Sequence, residues 1–127
     1  MSASASFIEH VKETLAGLGP VSVRRMFGGA GVYADGVMFA LIADDALYLK
    51  ADDVSKRAFE AEGAGPFLYE SRGRTIVMSY WRIPDRLLDD PDEMVSWARS
   101  ALSIARRAAG PKRKSVRATV RKRNKAR

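Results

Sequence analysis

Two closely spaced turn signals divide the first half of the chain into short segments whose pattern is not helical. Asp35-Gly36 favours positive φ angles and therefore a tight hairpin, and Asp44-Asp45 marks a second turn after the apolar run at residues 37–42. Apolar and polar residues alternate before the first turn and after the second. The pattern predicts a meander of antiparallel strands over residues 21–50.

Helix signals occur at three other places. Ser6-Phe7-Ile8-Glu9 has the spacing of a capping box and predicts a first helix over residues 5–18. Asp52 or Asp53 can cap a short helix that ends at Gly63. Asp90-Pro91-Asp92-Glu93 opens a long helix that stops before Gly110. The stripe of this last helix that we expect to be buried comprises Met94, Ala98, Ala101, Leu102, Ala105 and Ala108.

A second hairpin is predicted around Gly73, between the apolar runs at residues 67–70 and 74–81. The predicted fold class is therefore α+β. We expect a largely antiparallel sheet of about five to six strands in two meander or hairpin groups, with an N-terminal helix, a short middle helix and a long C-terminal helix around it. A chain of 127 residues fits one such domain, which we place at residues 1–110.

Charge is distributed very unevenly along the chain. Nine of the 22 basic residues lie in residues 111–127 with no acidic residue among them. The remaining 13 basic residues face all 15 acidic ones, so the first 110 residues carry a net charge of −2 although the whole chain carries +7. A mildly acidic domain is thus followed by a strongly basic tail, which we predict to be disordered when free.

The basic tail predicts sequence-independent contact with nucleic acid. Each phosphate that a cation neutralises contributes a slope of roughly −0.9 to the salt dependence of duplex binding, so nine contacts set a limit near −8. A solubilising extension is the alternative reading, and an anionic membrane is a weaker one because the segment has too few apolar residues to insert. The predicted contacts are Lys112, Arg113, Lys114, Arg117, Arg121, Lys122, Arg123, Lys125 and Arg127.

The glycine-rich stretch at residues 28–36 matches a nucleotide-binding pattern by letter. The six residues from Gly29 to Ala34 fit G-x-G-x-x-G/A, but the fingerprint requires a helix whose N-terminus holds the pyrophosphate, and a turn at Asp35-Gly36 follows instead. We therefore interpret Gly28, Gly29 and Gly31 as structural residues that permit a bulge, a positive φ or close packing. No cofactor is expected.

Catalytic and metal sites find little support in the sequence. The chain has no cysteine and a single histidine, His10, whose neighbours Glu9 and Glu13 supply only a partial metal site. No Ser/His/Asp arrangement can be completed around it. We predict no catalytic residue and no metal, and interpret His10 as part of a solvated helix face. The absence of a secretory signal and of an apolar stretch near the roughly 20 residues of a membrane helix predicts a cytoplasmic protein with no membrane partner.

A second nucleic-acid surface is an open alternative. Tyr80-Trp81-Arg82 places two aromatics beside a guanidinium near the end of a strand, and such residues can stack on unpaired bases, with Arg24 and Arg25 as further phosphate contacts. Strand alternation predicts that one of the two aromatics faces the core and the other solvent. We favour core packing of Trp81 under the last helix, against Trp97.

Several separated motifs together resemble a known family. The stretch RRMFGGAGVYADGVMFALIADDALYLKAD, the later PFLYE and the segment MSYWRIPDRLLDDPDEMVSWARSAL are similar to the N-terminal domain of the TfoX/Sxy family of bacterial competence regulators. The resemblance covers residues 7–108. It implies a regulator of DNA-uptake genes that assists a transcription factor similar to the cyclic-AMP receptor protein, and it carries over no catalytic residue.

The leading hypothesis is a non-enzymatic regulatory domain that binds a protein partner while its basic tail binds DNA. Homodimer formation is left open. The alternatives are a nucleic-acid-binding module that uses the sheet aromatics and arginines, and, ranked last, a nucleotide-dependent enzyme built on the glycine-rich loop.

Overall fold

The computed structural model describes residues 3–26 and 28–109. The basic segment at residues 111–127 lies outside the described residues, so the predictions for its structure and its contacts stay predictions. Among the described residues, no helix is long and apolar enough to cross a membrane.

Within residues 3–26 and 28–109, three α-helices enclose two groups of strands along the chain, four strands in the first group and two in the second. One short 3₁₀ turn, Ala16–Leu18, follows the first helix, and another, Asp85–Asp89, precedes the third. The elements are α1 (Ala5–Thr14), β1 (Ser22–Met26), β2 (Gly29–Ala34), β3 (Val37–Ala43), β4 (Ala46–Lys50), α2 (Lys56–Ala61), β5 (Pro66–Ser71), β6 (Arg74–Arg82) and α3 (Pro91–Ala109).

All six strands form one antiparallel sheet in the order β1-β2-β3-β4-β6-β5. The first four strands are the predicted meander, and the β5–β6 hairpin joins it through β6, where Leu49 pairs with Trp81. The predicted α+β class and the two groups of strands are therefore confirmed.

Consecutive residues with positive φ angles form three of the tight turns. Asp35 and Gly36 have φ angles of 54° and 78°, and Arg72 and Gly73 have angles of 53° and 75°. The Asp44-Asp45 turn adopts the same conformation without a glycine, with angles of 51° and 52°. Paired positive φ angles match the right-handed twist of the flanking strands, so each turn sets the register of its hairpin.

The start of α1 differs from the predicted capping box. Ser4, rather than Ser6, is the N-cap, and its Oγ accepts a hydrogen bond from the Phe7 N–H at 3.2 Å. A distant contact explains the shift, because the Ser4 N–H donates to a carboxylate oxygen of Asp45 at 2.8 Å and so fixes Ser4 against the β3–β4 turn. The α-helix ends at Thr14, and a 3₁₀ turn completes the segment predicted as one helix.

Asp90 caps α3 as predicted, whereas the N-cap of α2 is Ser55, without a side-chain capping hydrogen bond, in place of the predicted Asp52 or Asp53. Before α2, the Asp52 carboxylate accepts hydrogen bonds from the N–H groups of Val54 and Ser55, and the bond from Ser55 is the main reason that the pKa of Asp52 is lowered. In front of α3, the Asp90 carboxylate accepts from the Glu93 N–H at 3.2 Å. The Asp90 bond satisfies a backbone donor that α3 leaves unpaired, whereas the Asp52 bonds hold the turn that precedes α2.

The buried stripe of α3 differs from the prediction at two positions. Ile104 is buried and Ala108 is exposed. Ile104 lies beside Asp52, Val54 and Ser55, the segment that leads into α2. Which residues of α3 are buried therefore depends on contacts with this loop, and the periodicity of the helix sequence does not predict such contacts.

The hydrophobic core lies between one side of the sheet and the helices. Burying these side chains supplies most of the stabilisation of a domain of this size. Its largest fully buried members are Phe39, Leu15, Ile42, Leu47, Leu49, Leu87, Met94, Val11 and Val32.

Phe59 of α2 connects the β6 strand to α3. Its ring lies 5.0 Å from the Trp97 ring in an edge-to-face arrangement and 6.3 Å from the Trp81 ring, measured between centroids. The predicted packing of Trp81 against Trp97 is thus replaced by contacts of both tryptophans with Phe59.

A network around Arg86 ties the second 3₁₀ turn to two helical segments. Its guanidinium donates to the carboxylates of Glu62 at 2.6 Å and Glu93 at 2.7 Å. The Glu93 carboxylate also accepts from the indole N–H of Trp97 at 3.1 Å. The bond from Arg86 and then the bond from Trp97 lower the pKa of Glu93.

Removing the Phe59 ring should destabilise the domain strongly. Phe59→Ala deletes a side chain that is 4% exposed and leaves a cavity between the two tryptophans, so we expect a loss of about 3–5 kcal/mol in the free energy of unfolding. Val54→Ala, at a position 75% exposed in the same segment, should change it by less than about 0.5 kcal/mol. Urea unfolding followed by tryptophan fluorescence measures both, and equal effects would contradict the packing described.

Acidification should weaken the fold through Glu93. Its pKa in the folded chain lies below the ordinary value of 4.5, so its contribution to stability is complete above that pH and is lost as the pH falls through the lower folded-state value. Urea unfolding between about pH 6 and about pH 3 should show a smaller acid loss for Glu93→Gln than for the wild type. In an Arg86→Met background, Glu93→Gln should change the pH profile of stability less. If the wild type, the two single variants and the double variant gave parallel pH profiles, the coupling between Arg86 and Glu93 would be refuted.

Candidate functional site

The side of the sheet away from the core carries an apolar groove of about 310 Å³. We call this side the open face. All nine residues of the groove belong to strands, from both ends of the strand order as well as from its centre. They are Met26, Gly29, Ala30, Met38, Leu41, Ile42, Phe67, Tyr69 and Met78.

Two glycines of the nucleotide-like pattern permit close approaches in this groove. A Cβ at Gly31 would lie 2.8 Å from Cε of Met26 and 3.1 Å from Sδ of Met38, so the missing side chain lets both methionines lie over β2. A Cβ at Gly29 would collide with the carbonyl oxygen of Ile42 on β3. The pattern therefore serves backbone and side-chain packing here, and β2 continues as a strand where a dinucleotide site would need a helix.

Strand alternation places four cationic side chains on the open face: Arg24, Lys50, Arg82 and, at the turn end of β6, Arg74. The Arg24 guanidinium is 5.6 Å from the centre of the Tyr33 ring, and the Lys50 ammonium is 5.2 Å from the centre of the Tyr80 ring. Burial raises the pKa of Tyr80, and nearby Tyr33 adds to this effect.

The third cation of the open face, Arg82, pairs across the strands with Tyr48. Its guanidinium lies 3.5 Å from a carboxylate oxygen of Asp85.

The predicted sheet residues divide between the two sides of the sheet. Arg24, Tyr80 and Arg82 lie on the open face, whereas Trp81 pairs with Leu49 and packs against the core. Arg25 also lies on the helix side, where its guanidinium donates to the carbonyl of Ala3 at 2.7 Å. These five residues therefore do not form a single nucleic-acid site.

Acidic side chains are scarce in the sheet. Glu70 is the only Asp or Glu within the six strands, and it pairs with Thr75, whose hydroxyl donates to its carboxylate at 2.6 Å. Because the neighbouring pair, Tyr69 and Ile76, belongs to the open face, alternation places Glu70 on the other side. The strand residues of the open face thus carry cations without a carboxylate.

The β5–β6 hairpin exposes apolar side chains on both of its sides. Leu68 and Val77, which pair with each other, are 53% and 66% exposed, and Tyr69 and Ile76 on the opposite side are 38% and 44% exposed. A strand covered on one side alternates apolar and polar residues, whereas both strands here contain three apolar residues in a row. That departure from alternation is the sequence signal of this surface that our sequence analysis missed.

His10 lies away from the groove. Its Nε2 is 3.0 Å from the carbonyl oxygen of Leu88, which links α1 to the second 3₁₀ turn. Within residues 3–26 and 28–109, no three His, Cys, Asp or Glu residues come together in a way that could hold a metal ion.

The fold defines the class of protein: a small α+β domain with helices on one side of a six-stranded antiparallel sheet and an apolar groove on the other. Residues 13–105 match the TfoX N-terminal domain, and the chain belongs to this family.

Two curated relatives are each similar to about seven tenths of the chain. Protein Sxy of Escherichia coli (strain K12) is 30% identical over 94 residues, which cover 74% of this chain and 45% of Sxy. DNA transformation protein TfoX1 of Aliivibrio fischeri (strain ATCC 700601 / ES114) is 26% identical over 89 residues, which cover 70% of this chain and 43% of that protein. The match thus spans less than half the length of either relative.

A side chain at Gly29 should destabilise the sheet. Gly29→Ala places a methyl group against the Ile42 carbonyl, and we expect a loss of about 1–3 kcal/mol from the strand displacement this requires. Gly65→Ala, where a Cβ meets no atom within 4 Å, is the matched control and should stay within about 1 kcal/mol of the wild type. Urea unfolding measures the stability of both variants. In a separate titration, saturable micromolar binding of ATP or NAD by the wild type would overturn the structural interpretation of these glycines.

Proposed function

We propose that this protein is a non-enzymatic regulatory domain of the competence-regulator type, which acts through a protein partner and binds DNA through its basic segment. Membership of the TfoX N-terminal domain family over residues 13–105 is the observation that carries the proposal. One relative is named a DNA transformation protein, which supports the proposed role in DNA uptake. The resemblance suggests a transcription factor similar to the cyclic-AMP receptor protein as the partner.

A protein partner is favoured by the apolar character of the groove on the open face. The groove on the open face is lined by thioether, aliphatic and aromatic side chains, which gain free energy when a partner removes them from water. Among the described residues, the lining offers few polar groups that could orient a small substrate, and the Tyr69 hydroxyl is the one on a side chain. Such a surface suits association better than chemistry.

DNA contact is assigned to the segment at residues 111–127. Its nine cations follow a domain with a net charge of −2, so long-range attraction to a polyanion resides in this segment. The last turn of α3 lies beside Lys50 and Tyr80, and Ala109 therefore brings the chain to one end of the open face before the basic segment starts. A partner held on that face and a DNA duplex held by the segment would share a high effective concentration.

A second candidate function is binding of single-stranded nucleic acid on the open face. Arg24, Tyr80 and Arg82 do share this side of the sheet, which favours the idea. The rings of Tyr33 and Tyr80 already have a cation near them, however, and three methionines separate them from the rings of Phe67 and Tyr69 in the groove lining. Direct base stacking is therefore the weaker proposal.

Two charge-neutralised versions of the full chain separate these functions. In the first, all nine cations of residues 111–127 become glutamine; in the second, Arg24, Lys50 and Arg82 become glutamine. We expect the wild type to bind a DNA duplex with a steep salt dependence, of slope no steeper than about −8, and the first variant to lose nearly all of this binding. The second should keep most of it.

Fluorescence anisotropy with one labelled duplex, at several salt concentrations between about 50 and 200 mM, measures the slopes. A labelled oligo-dT strand, tested in parallel, addresses the second candidate. If the nine-fold variant bound the duplex as well as the wild type did, the proposed division between domain and segment would be wrong.

A further inference from the structure

We propose that the groove on the open face is the docking site for an apolar segment of a partner protein whose flanking residues are acidic. The proposal rests on the proposed function, because it names the surface and the chemistry of the protein partner assigned there. It does not depend on DNA binding by the basic segment.

The shape and lining of the groove require an apolar occupant. A volume of about 310 Å³ accommodates two or three large side chains, and the walls come from Leu41, Phe67 and three methionines. The groove extends across the sheet between the β1–β2 and β5–β6 pairs, and its lining includes no residue of β4. An amphipathic helix or an extended peptide could place its apolar anchors in such a trough.

Methionines make the groove adaptable. Three of the five methionines in the chain, Met26, Met38 and Met78, line it, and Gly31 leaves room for the first two to lie over β2. Unbranched thioether side chains can repack around differently shaped anchors, which is why they are frequent on protein-binding surfaces. The concentration of methionine on one exposed side, rather than in the core, points to binding.

Charge complementarity identifies the residues that flank the apolar anchor. Arg24, Lys50 and Arg82 lie on the open face, and the only carboxylate within the strands, Glu70, lies on the other side. Carboxylates next to the anchor would approach these cations, and basic residues there would be repelled. The partner segment is therefore apolar in the middle and acidic at its ends.

The same charges argue against a second copy of this chain and against a nucleic acid. A two-fold contact between open faces would bring together two faces that both carry Arg24, Lys50 and Arg82 and no strand carboxylate. A nucleic acid would satisfy the cations but would leave the apolar groove empty. An acidic, apolar peptide satisfies both features.

Methionine methyl groups provide a direct readout of the groove in the full chain. With ¹³C-methyl-methionine labelling, Met26, Met38 and Met78 report on the groove, and fully buried Met94 reports on the core. The probe is a synthetic amphipathic peptide with a leucine and phenylalanine stripe and glutamates beside it. A control peptide has lysine in place of each glutamate, and an oligo-dT strand tests nucleic acid.

We expect the acidic peptide to shift the three groove signals in a saturable manner and to leave Met94 unchanged. It should bind at least about tenfold more tightly than the basic peptide, and the preference should disappear when Arg24, Lys50 and Arg82 are replaced by glutamine. The nine-fold glutamine variant of residues 111–127 should give the same groove shifts, which removes attraction by the basic segment as an explanation.

Two neighbouring substitutions supply the matched control. Met78→Gln replaces a groove side chain with a polar one of similar size and should lower the affinity for the acidic peptide by at least about tenfold. Val77→Gln, next to it on β6 but exposed on the opposite side, should change the affinity less than about twofold. An unshifted Met94 signal in each variant shows that the core is intact.

Three outcomes would overturn the proposal. The groove signals could fail to shift with either peptide, they could shift with oligo-dT alone, or they could change with protein concentration in the absence of any probe while light scattering shows a dimer. None of these results would alter the salt dependence of duplex binding by the basic segment, so a failure of this proposal is distinguishable from a failure of the DNA-binding half of the proposed function.

Discussion

One constraint shapes the whole molecule: a single layer of helices can cover only one side of a six-stranded sheet. The core forms where α1, α3 and the short turns meet Val32, Phe39 and Leu49, and burial of these residues supplies the main driving force for folding. The other side is left with side chains that are apolar enough to avoid water but have no helical layer over them among the described residues. The groove is therefore a consequence of the architecture, and the methionines and Gly31 determine its shape.

The β5–β6 hairpin extends this constraint beyond the edge of the core. Phe59 and Trp81 hold the base of the hairpin under α3, while Leu68 and Val77 lie further out and are largely exposed. A two-stranded hairpin is marginally stable by itself, so its attachment through the β4–β6 pairing and through Phe59 keeps Phe67 and Tyr69 in place as one wall of the groove. Contacts in the core thus fix the position of the strands that line the groove on the opposite side of the sheet.

The sequence predicted the fold well because its strongest signals are local. Asp35-Gly36 and Gly73 determine turns through their own φ angles, and Asp90 caps α3 within one helical turn. The predictions were wrong where a contact between distant residues determines the structure. Asp45 fixes Ser4 as the cap of α1, and the ring of Phe59 contacts both Trp81 and Trp97. The groove could not be found for the same reason, since its lining residues come from five strands and become neighbours only after all six strands have paired.

Cations on the sheet and cations in residues 111–127 have different physical consequences. Arg24 and Lys50 are held near tyrosine rings on a rigid sheet, so they can favour one orientation and one charge pattern in a partner. Nine cations in a run of 17 residues with no acidic neighbour would instead give a large attraction to DNA that carries little information about sequence and weakens steeply with salt. A regulatory domain built in this way would obtain its specificity from the face of the sheet and its residence near DNA from the basic segment, because neither set of charges can supply what the other does.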